Sequence, residues 1–99
     1  MPLQITEIQI IPIKPQNGIV AFASFVLDHS LYLSSIAVMT RPHGGYRLVY
    51  PTKKVGQRDI NLFHPIEKSF AQAVEKAVIT KLENVMKNND RHDSFDPQP

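Results

Sequence analysis

Histidine offers the widest range of chemistry in this chain, because its side chain can bind a metal ion or transfer a proton near neutral pH. The sequence contains four histidines: His29, His43, His64 and His92. They lie far apart along the chain and do not have the spacing of a metal site. Asp28 with His29, or Asp59 with His64, could form an acid–base pair, although such neighbours in a turn are more often structural.

Other catalytic patterns are absent from the sequence. It has no cysteine, which excludes a thiolate zinc site, a disulfide framework and a cysteine nucleophile. It has no serine in a nucleophile elbow, no Walker lysine loop and no dinucleotide-binding fingerprint. The sequence therefore predicts a protein that is not an enzyme and needs neither a cofactor nor a metal, with a small hydrolase as a distant alternative.

A basic segment is more informative. No acidic residue occurs between positions 29 and 58, a stretch that contains five cations: Arg41, Arg47, Lys53, Lys54 and Arg58. Cations in a loop or after a strand suit phosphate contacts, and tyrosines such as Tyr50 could stack on unpaired bases. The segment predicts nucleic-acid binding by the five cations and Tyr50. A solvated basic loop with its tyrosines in the core is the alternative interpretation.

The size and charge of the chain place it in a broad class. It has 99 residues and a net charge of +2, with 11 Lys+Arg against 9 Asp+Glu. This length is enough for one domain with a small core. Residues 1–87 carry ten Lys+Arg against six Asp+Glu, so the body of the chain is more basic than the total suggests. Because the sequence has no apolar run of about 18 residues and no secretory signal pattern, it predicts a cytoplasmic protein without a membrane span.

Four segments have the composition of strands: Leu3–Ile13, Ile19–Leu27, Leu31–Thr40 and Tyr46–Tyr50. Asn17 and Gly18 are the strongest turn signal, because both residues tolerate the positive φ of a two-residue hairpin. Pro12 suits an edge strand or a bulge, since proline cannot donate to a β-ladder. The short link over residues 28–30 makes the second and third strands antiparallel neighbours.

One helix is predicted from about Pro65 to about Lys87, ending at Asn88–Asp90. Its apolar stripe consists of Ile66, Phe70, Val74, Ala77, Val78, Leu82 and Val85. We therefore predict an α+β fold, in which a small four-stranded, mostly antiparallel sheet packs with one long C-terminal helix. This single domain covers residues 1–87, and a polar, disordered tail covers residues 88–99.

The second predicted strand is apolar on both faces. Ala21, Ala23 and Phe25 lie on one face, while Val20, Phe22 and Val26 lie on the other. A strand with one face in water would alternate more cleanly, and one helix covers one face only. The pattern therefore predicts that a partner chain covers the other face, with a homodimer as the expected form and another protein as the alternative.

Five segments, in order, give the chain its resemblance to a known family: Ile5–Ile8, Ala21–Asp28, Leu33–Val38, Tyr50–Lys54, and Arg58–Ile60 followed by His64–Ile66. Over about residues 5–87 the chain resembles the bacterial stage V sporulation protein G (SpoVG) family, also called septation proteins. The chain departs from the family's pattern at two places. Thr52 replaces the usual serine of a Pro-Ser-Lys-Arg segment, and Asn61–Phe63 lengthens the link to the helix.

The resemblance implies a small antiparallel sheet with a C-terminal helix, dimerisation, DNA binding that depends on sequence, and RNA binding in some members. It also implies a regulatory role, and it places the family's DNA-contacting basic pair on Lys53 and Lys54. We therefore expect a dimeric, DNA-binding bacterial regulator that acts at the transcriptional or post-transcriptional level, with RNA as a second ligand. The alternative is a protein-interaction module in septation, sporulation or cell-division control that binds a regulatory or division protein instead.

Overall fold

A computed structural model describes the backbone of residues 3–95 and the side chains of residues 3–87. The elements are β1 (Ile5–Gln16), β2 (Ile19–Leu27), β3 (Leu31–Thr40), β4 (Tyr46–Val49), β5 (Thr52–Val55), β6 (Arg58–Asn61) and α1 (Lys68–Phe95). The predicted α+β class, with a four-stranded antiparallel sheet and one long C-terminal helix, is confirmed.

The four-stranded sheet has the order β1-β2-β3-β4, and each strand is antiparallel to its neighbour. Its first hairpin closes at Asn17 and Gly18, which have φ values of 55° and 86° as a two-residue turn requires. The second closes through Asp28 and His29, both also at positive φ. The second and third strands have the predicted bounds, whereas β4 ends one residue earlier than predicted.

The first strand begins two residues later than predicted and continues to Gln16 instead of ending at Ile13. Pro12 does not stop it, because β1 is an edge strand and Pro12 lies opposite Ala21 beside a shift of register. A second register shift follows Thr6, where Glu7 has a φ of 51°. The predicted role of Pro12 at an edge or a bulge is therefore confirmed.

The helix begins at Lys68, so the expected start at Pro65 is wrong. The carbonyl oxygen of Glu67 accepts the first helical hydrogen bond, from the amide of Ala71 at 2.9 Å, which makes Glu67 the N-terminal cap. Ile66 therefore lies outside the helix and is 92% exposed, although it was expected to belong to the buried stripe.

The helix also ends later than expected, at Phe95 instead of Asn88–Asp90. Asn and Asp only weaken a helix, whereas the first strong breaker after Lys87 is Pro97, which disfavours helical backbone at the residue before it. The predicted disordered tail covers residues 88–99, and the backbone of 88–95 belongs to the helix. The side chains of 88–99 and the backbone of 96–99 lie outside the described residues. Within residues 3–95, no helix is long and apolar enough to cross a membrane.

The core lies between one face of the sheet and the helix. Ala21 and Phe25 of β2 and Ile36 and Val38 of β3 are buried there. The helix contributes the fully buried Val74, Val78 and Leu82. These three residues confirm the centre of the predicted apolar stripe.

A second, two-stranded sheet was not predicted. Strands β5 and β6 pair around Gly56 and Gln57, and Gly56 has a φ of 63°. Segments containing Lys53-Lys54 and Arg58-Asp59 have no apolar alternation, so sequence patterning could not identify them as strands. We call Thr52–Asn61 the basic hairpin.

Candidate nucleic-acid interface

The basic hairpin carries three of the predicted contact residues. Lys53 lies opposite Ile60, Lys54 opposite Asp59, and Val55 opposite Arg58. Opposite residues of an antiparallel pair share a face and successive residues alternate, so Lys53 and Arg58 lie on one face and Lys54 on the other. All eight strand residues are exposed.

The base of the basic hairpin is attached to the rest of the domain. The amide of Leu62 donates to the carbonyl oxygen of Pro51 at 3.0 Å. The rings of Tyr50 and Phe63 meet edge to face, with centroids 6.1 Å apart. These contacts hold the two ends of the hairpin together at its base while its strands remain in solvent.

Arg41 lies away from the hairpin, in the loop between β3 and β4. Its Nε donates to the carbonyl oxygen of Tyr46 at 2.9 Å, and its guanidinium lies 3.5 Å from Glu75 Oε2 on the helix. The side chains of Arg41 and Glu75 are 49% and 37% exposed, so water screens the ion pair and its contribution is weak. A phosphate could compete with Glu75 for Arg41, but the present contacts stabilise the loop.

Arg47 lies on the sheet face opposite the helix. It sits across from Met39 and donates to the sulfur of that residue at 3.8 Å. Its neighbours Tyr46 and Leu48 point to the other face and pack against the core. Arg47 therefore borders the uncovered face of the sheet and does not share a face with its neighbouring tyrosine.

Tyr50 is half-buried at the junction of the sheet, the helix and the basic hairpin. Burial raises the pKa of its phenol to about 12, and the negative charge of Glu75 contributes in the same direction. Its ring packs against the core and against Phe63. The predicted stacking of Tyr50 on a base stays a prediction, although the ring already has protein neighbours.

A cleft of about 350 Å³ adjoins Tyr50 between β4 and the start of the helix. Its polar lining consists of Tyr50, His64, Lys68, Gln72 and Glu75. The Nδ1–H of His64 donates to the carbonyl oxygen of Pro65 at 3.1 Å, so this nitrogen is occupied. The sequence prediction missed this cleft, because its residues come from two segments, one ending at Tyr50 and one beginning at His64, which are 14 positions apart.

The Asp28–His29 pair forms no acid–base couple. Asp28 Oδ1 accepts from the amide of Gln4 at 2.7 Å, and His29 Nε2–H donates to Gln4 Oε1 at 2.8 Å. Both side chains therefore fasten the start of β1 to the turn between β2 and β3. Among the described residues, no group of three or more His, Cys, Asp or Glu side chains could hold a metal ion.

The uncovered face of the sheet carries a row of apolar side chains. Ile11, Phe22, Ala37 and Val49 lie opposite one another across the four strands. Ile11 is 63% exposed, and Tyr32, which lies opposite Val26 on the same face, is 64% exposed. Sequence patterning anticipated this face through the two apolar faces of β2.

The sequence interpretation also missed Val55 and Ile60, which share the exposed face of Lys53 and Arg58. A signal for them does exist in the sequence. Gly56-Gln57 can form a two-residue turn, and counting outward from it pairs Val55 with Arg58 and Lys53 with Ile60.

Together, the sheet, the helix and the exposed basic hairpin define a small α+β protein with a candidate nucleic-acid interface. The SpoVG family model matches residues 3–84, and the chain belongs to this family. It is 28% identical to a protein of Treponema denticola over 82 residues, which cover 82% of this chain and 87% of the relative. It is 32% identical to a protein of Finegoldia magna over 80 residues, covering 80% and 73% of the two chains. Both relatives carry the name "Putative septation protein SpoVG".

Proposed function

We propose that this protein binds nucleic acid, with DNA as the first ligand and RNA as the second, and that it is a non-catalytic, cytoplasmic regulator. The observation that carries this proposal is the basic hairpin, whose Lys53, Lys54 and Arg58 are exposed. Within the described side chains, none of these three cations forms an ion pair. The names of the family and its relatives support a role in sporulation, septation or cell division.

The charge distribution supports the same proposal. The basic hairpin holds three cations and one carboxylate, Asp59. Arg47 is a further exposed cation, while Arg41 is partly neutralised by Glu75. Phosphate contacts from these cations would release condensed counterions, which is the main source of affinity for proteins that contact the DNA backbone.

The proposed active form is a homodimer. The uncovered sheet face, with Ile11, Phe22 and Tyr32 exposed, is an apolar surface that a second copy would remove from water. A dimer would also present two basic hairpins to one nucleic acid. Doubling the number of phosphate contacts would raise affinity without any further residue in the chain.

A gel-shift series tests nucleic-acid binding. Mixed-sequence single- and double-stranded DNA and RNA are titrated with the protein over a range of salt concentrations. Lys53→Ala combined with Lys54→Ala should weaken binding and flatten the salt dependence by about 1.8 in slope if each lysine neutralises one phosphate. The melting temperature should stay nearly unchanged, because exposed substitutions usually change stability by less than about 0.5 kcal/mol. Unaltered binding in the double variant would remove both lysines from the interface.

The second candidate is a protein-interaction module in septation or cell-division control, which the same apolar face favours. Light scattering after size exclusion separates this candidate from the homodimer. A dimer that Phe22→Lys converts to a monomer supports self-association through the face. A wild-type monomer at micromolar concentration, together with no shift of any nucleic acid, would favour the interaction module.

A further inference from the structure

The two faces of the basic hairpin differ in composition. One face holds Lys53, Val55, Arg58 and Ile60, and we call it the mixed cationic face. Its charges are both positive, and the two apolar side chains are about half exposed. The opposite face holds Thr52, Lys54, Asp59 and Asn61, on which one positive and one negative charge offset each other. The net positive charge of the hairpin is therefore concentrated on one side.

Neither apolar residue of the mixed cationic face contributes to the core of the domain. The core cluster and the hydrophobic residues packed against it include Tyr50 and Phe63 at the base of the hairpin, but neither Val55 nor Ile60. A β-branched side chain left about half exposed beside a free cation does little for the stability of a monomer. Its position fits a surface that contacts a ligand with both apolar and anionic or hydrogen-bonding groups.

The major groove of B-form DNA offers this combination. Guanine presents the O6 and N7 acceptors that Arg and Lys bind, and thymine presents a methyl group that apolar side chains contact. The groove is about 12 Å wide and admits a two-stranded β-ribbon, whereas the minor groove is about 6 Å wide. The two paired strands of the basic hairpin form such a ribbon, and all eight of their residues are exposed.

The shape and composition of the basic hairpin suit single-stranded nucleic acids and double-stranded RNA less well. Unpaired strands are usually held by exposed aromatic rings, but the basic hairpin has none, and the nearby Tyr46 and Tyr50 pack against the core. Double-stranded RNA has a deep and narrow major groove that side chains cannot enter. The shape and composition of the hairpin thus favour duplex DNA.

We infer that the basic hairpin is a β-ribbon that enters the major groove of duplex DNA with its mixed cationic face. Lys53 and Arg58 contact base edges or the phosphates at the groove edge, and Val55 and Ile60 contact thymine methyl groups. Lys54, on the opposite face, points away from the bases. This inference rests on the proposed nucleic-acid binding and specifies which ligand, which groove and which face.

Two neighbouring lysines provide a matched test, because Lys53→Ala and Lys54→Ala remove the same charge from opposite faces. With a mixed-sequence DNA duplex at one salt concentration, Lys53→Ala should weaken binding by about tenfold and Lys54→Ala by less than about threefold. Circular dichroism melts should be the same for both variants. Equal weakening by the two variants would overturn the assignment of the face.

Methylation interference tests the groove with the wild-type protein. Dimethyl sulfate methylates guanine N7 in the major groove and adenine N3 in the minor groove of the same duplex. Guanine-methylated molecules should be depleted from the bound fraction, while adenine-methylated molecules should not. Depletion of adenine-methylated molecules alone, or tighter binding of single-stranded DNA or of RNA than of the duplex, would overturn the inference and leave nucleic-acid binding intact. No shift of any nucleic acid at low salt would instead contradict the proposed function itself.

Discussion

The four-stranded sheet and the basic hairpin are both antiparallel and both close through a turn with a glycine at positive φ, yet their environments are opposite. The sheet buries Ala21, Phe25 and Val38 under the helix, whereas every strand residue of the hairpin is exposed. An isolated two-stranded ribbon is at best marginally stable in water. The difference indicates that the sheet residues stabilise the fold, whereas the strand residues of the hairpin contribute little to the core.

The largest effect is expected where the sheet meets the helix. Leu82 is fully buried, so Leu82→Ala should lower the free energy of unfolding by about 2–5 kcal/mol through lost burial and a cavity. Chemical denaturation at one fixed protein concentration measures the change, because dimerisation would make stability depend on concentration. Thr80→Ala, at an exposed position of the same helix, is the control and should change stability by less than about 0.5 kcal/mol. A loss below 1 kcal/mol at Leu82 would contradict the described core.

The second-largest loss of stability is expected at the turn between β1 and β2. Gly18 has a φ of 86°, and a Cβ there would lie 3.2 Å from Cε of Met39. Gly18→Ala should therefore lower the free energy of unfolding by about 1–2 kcal/mol, because alanine is strained in the left-handed backbone conformation. A shift of the Met39 side chain would relieve the steric contact but not the backbone strain. Thermal melts of Gly18→Ala, with and without Met39→Ala, separate backbone strain from the steric contact. Stability equal to wild type would show that the turn adopts another conformation.

The dependence of stability on pH tests the junction between the sheet and the basic hairpin, where Tyr50 lies. Its pKa is raised from about 10 to about 12 in the folded protein, so the folded state keeps a proton that the unfolded state loses. The contribution of Tyr50 to stability should consequently be constant below pH 10 and be lost as the pH rises towards 12. The loss should be on the order of 1 kcal/mol, because half of the side chain is in water. Ultraviolet titration should show one of the three tyrosines ionising last, and Tyr50→Phe should remove that step. Three coincident titrations in the wild type would contradict the described burial.

The smallest stability change is expected in the basic hairpin. Gly56 has a φ of 63°, but a Cβ there would meet no atom within 4 Å. Gly56→Ala strains the turn, yet the hairpin can open locally without the sheet, so the cost to global unfolding should stay below about 1 kcal/mol. DNA affinity should fall more than stability, because the ribbon is less often closed. A stability loss as large as that of Gly18→Ala would show that the hairpin and the sheet unfold as one unit.

The two regions also differ in how well the sequence predicts them. Alternation and β-branched composition located β2 and β3 to the residue, because those strands form the core. The basic hairpin has no core face, so hydrophobic patterning carries no signal for it, and only the turn at Gly56 indicates a reversal. The start of the helix was misplaced for a related reason, since Pro65 suits a first helical turn by type but the carbonyl of Glu67 accepts the first bond.

The candidate interface shows what composition alone leaves undetermined. The sequence shows that no acidic residue occurs between positions 29 and 58, but it could not show that Lys53 and Lys54 lie on opposite faces of a ribbon. It also could not show that Arg41 is held by Glu75, 34 positions further along the chain. Face assignment and long-range charge pairing depend on register and on tertiary contacts, neither of which a charge count contains.

The long edge strand β1 also bears on aggregation of the protein at high concentration. An exposed strand edge is a template on which a foreign strand can add, and continued addition leads to fibres. Pro12 and Pro15 remove two amide donors from β1, Lys14 adds a charge, and two register shifts break its regular spacing. Prolines, charges and irregular register are the features by which natural edge strands avoid templated aggregation, so β1 is a poor template for strand addition.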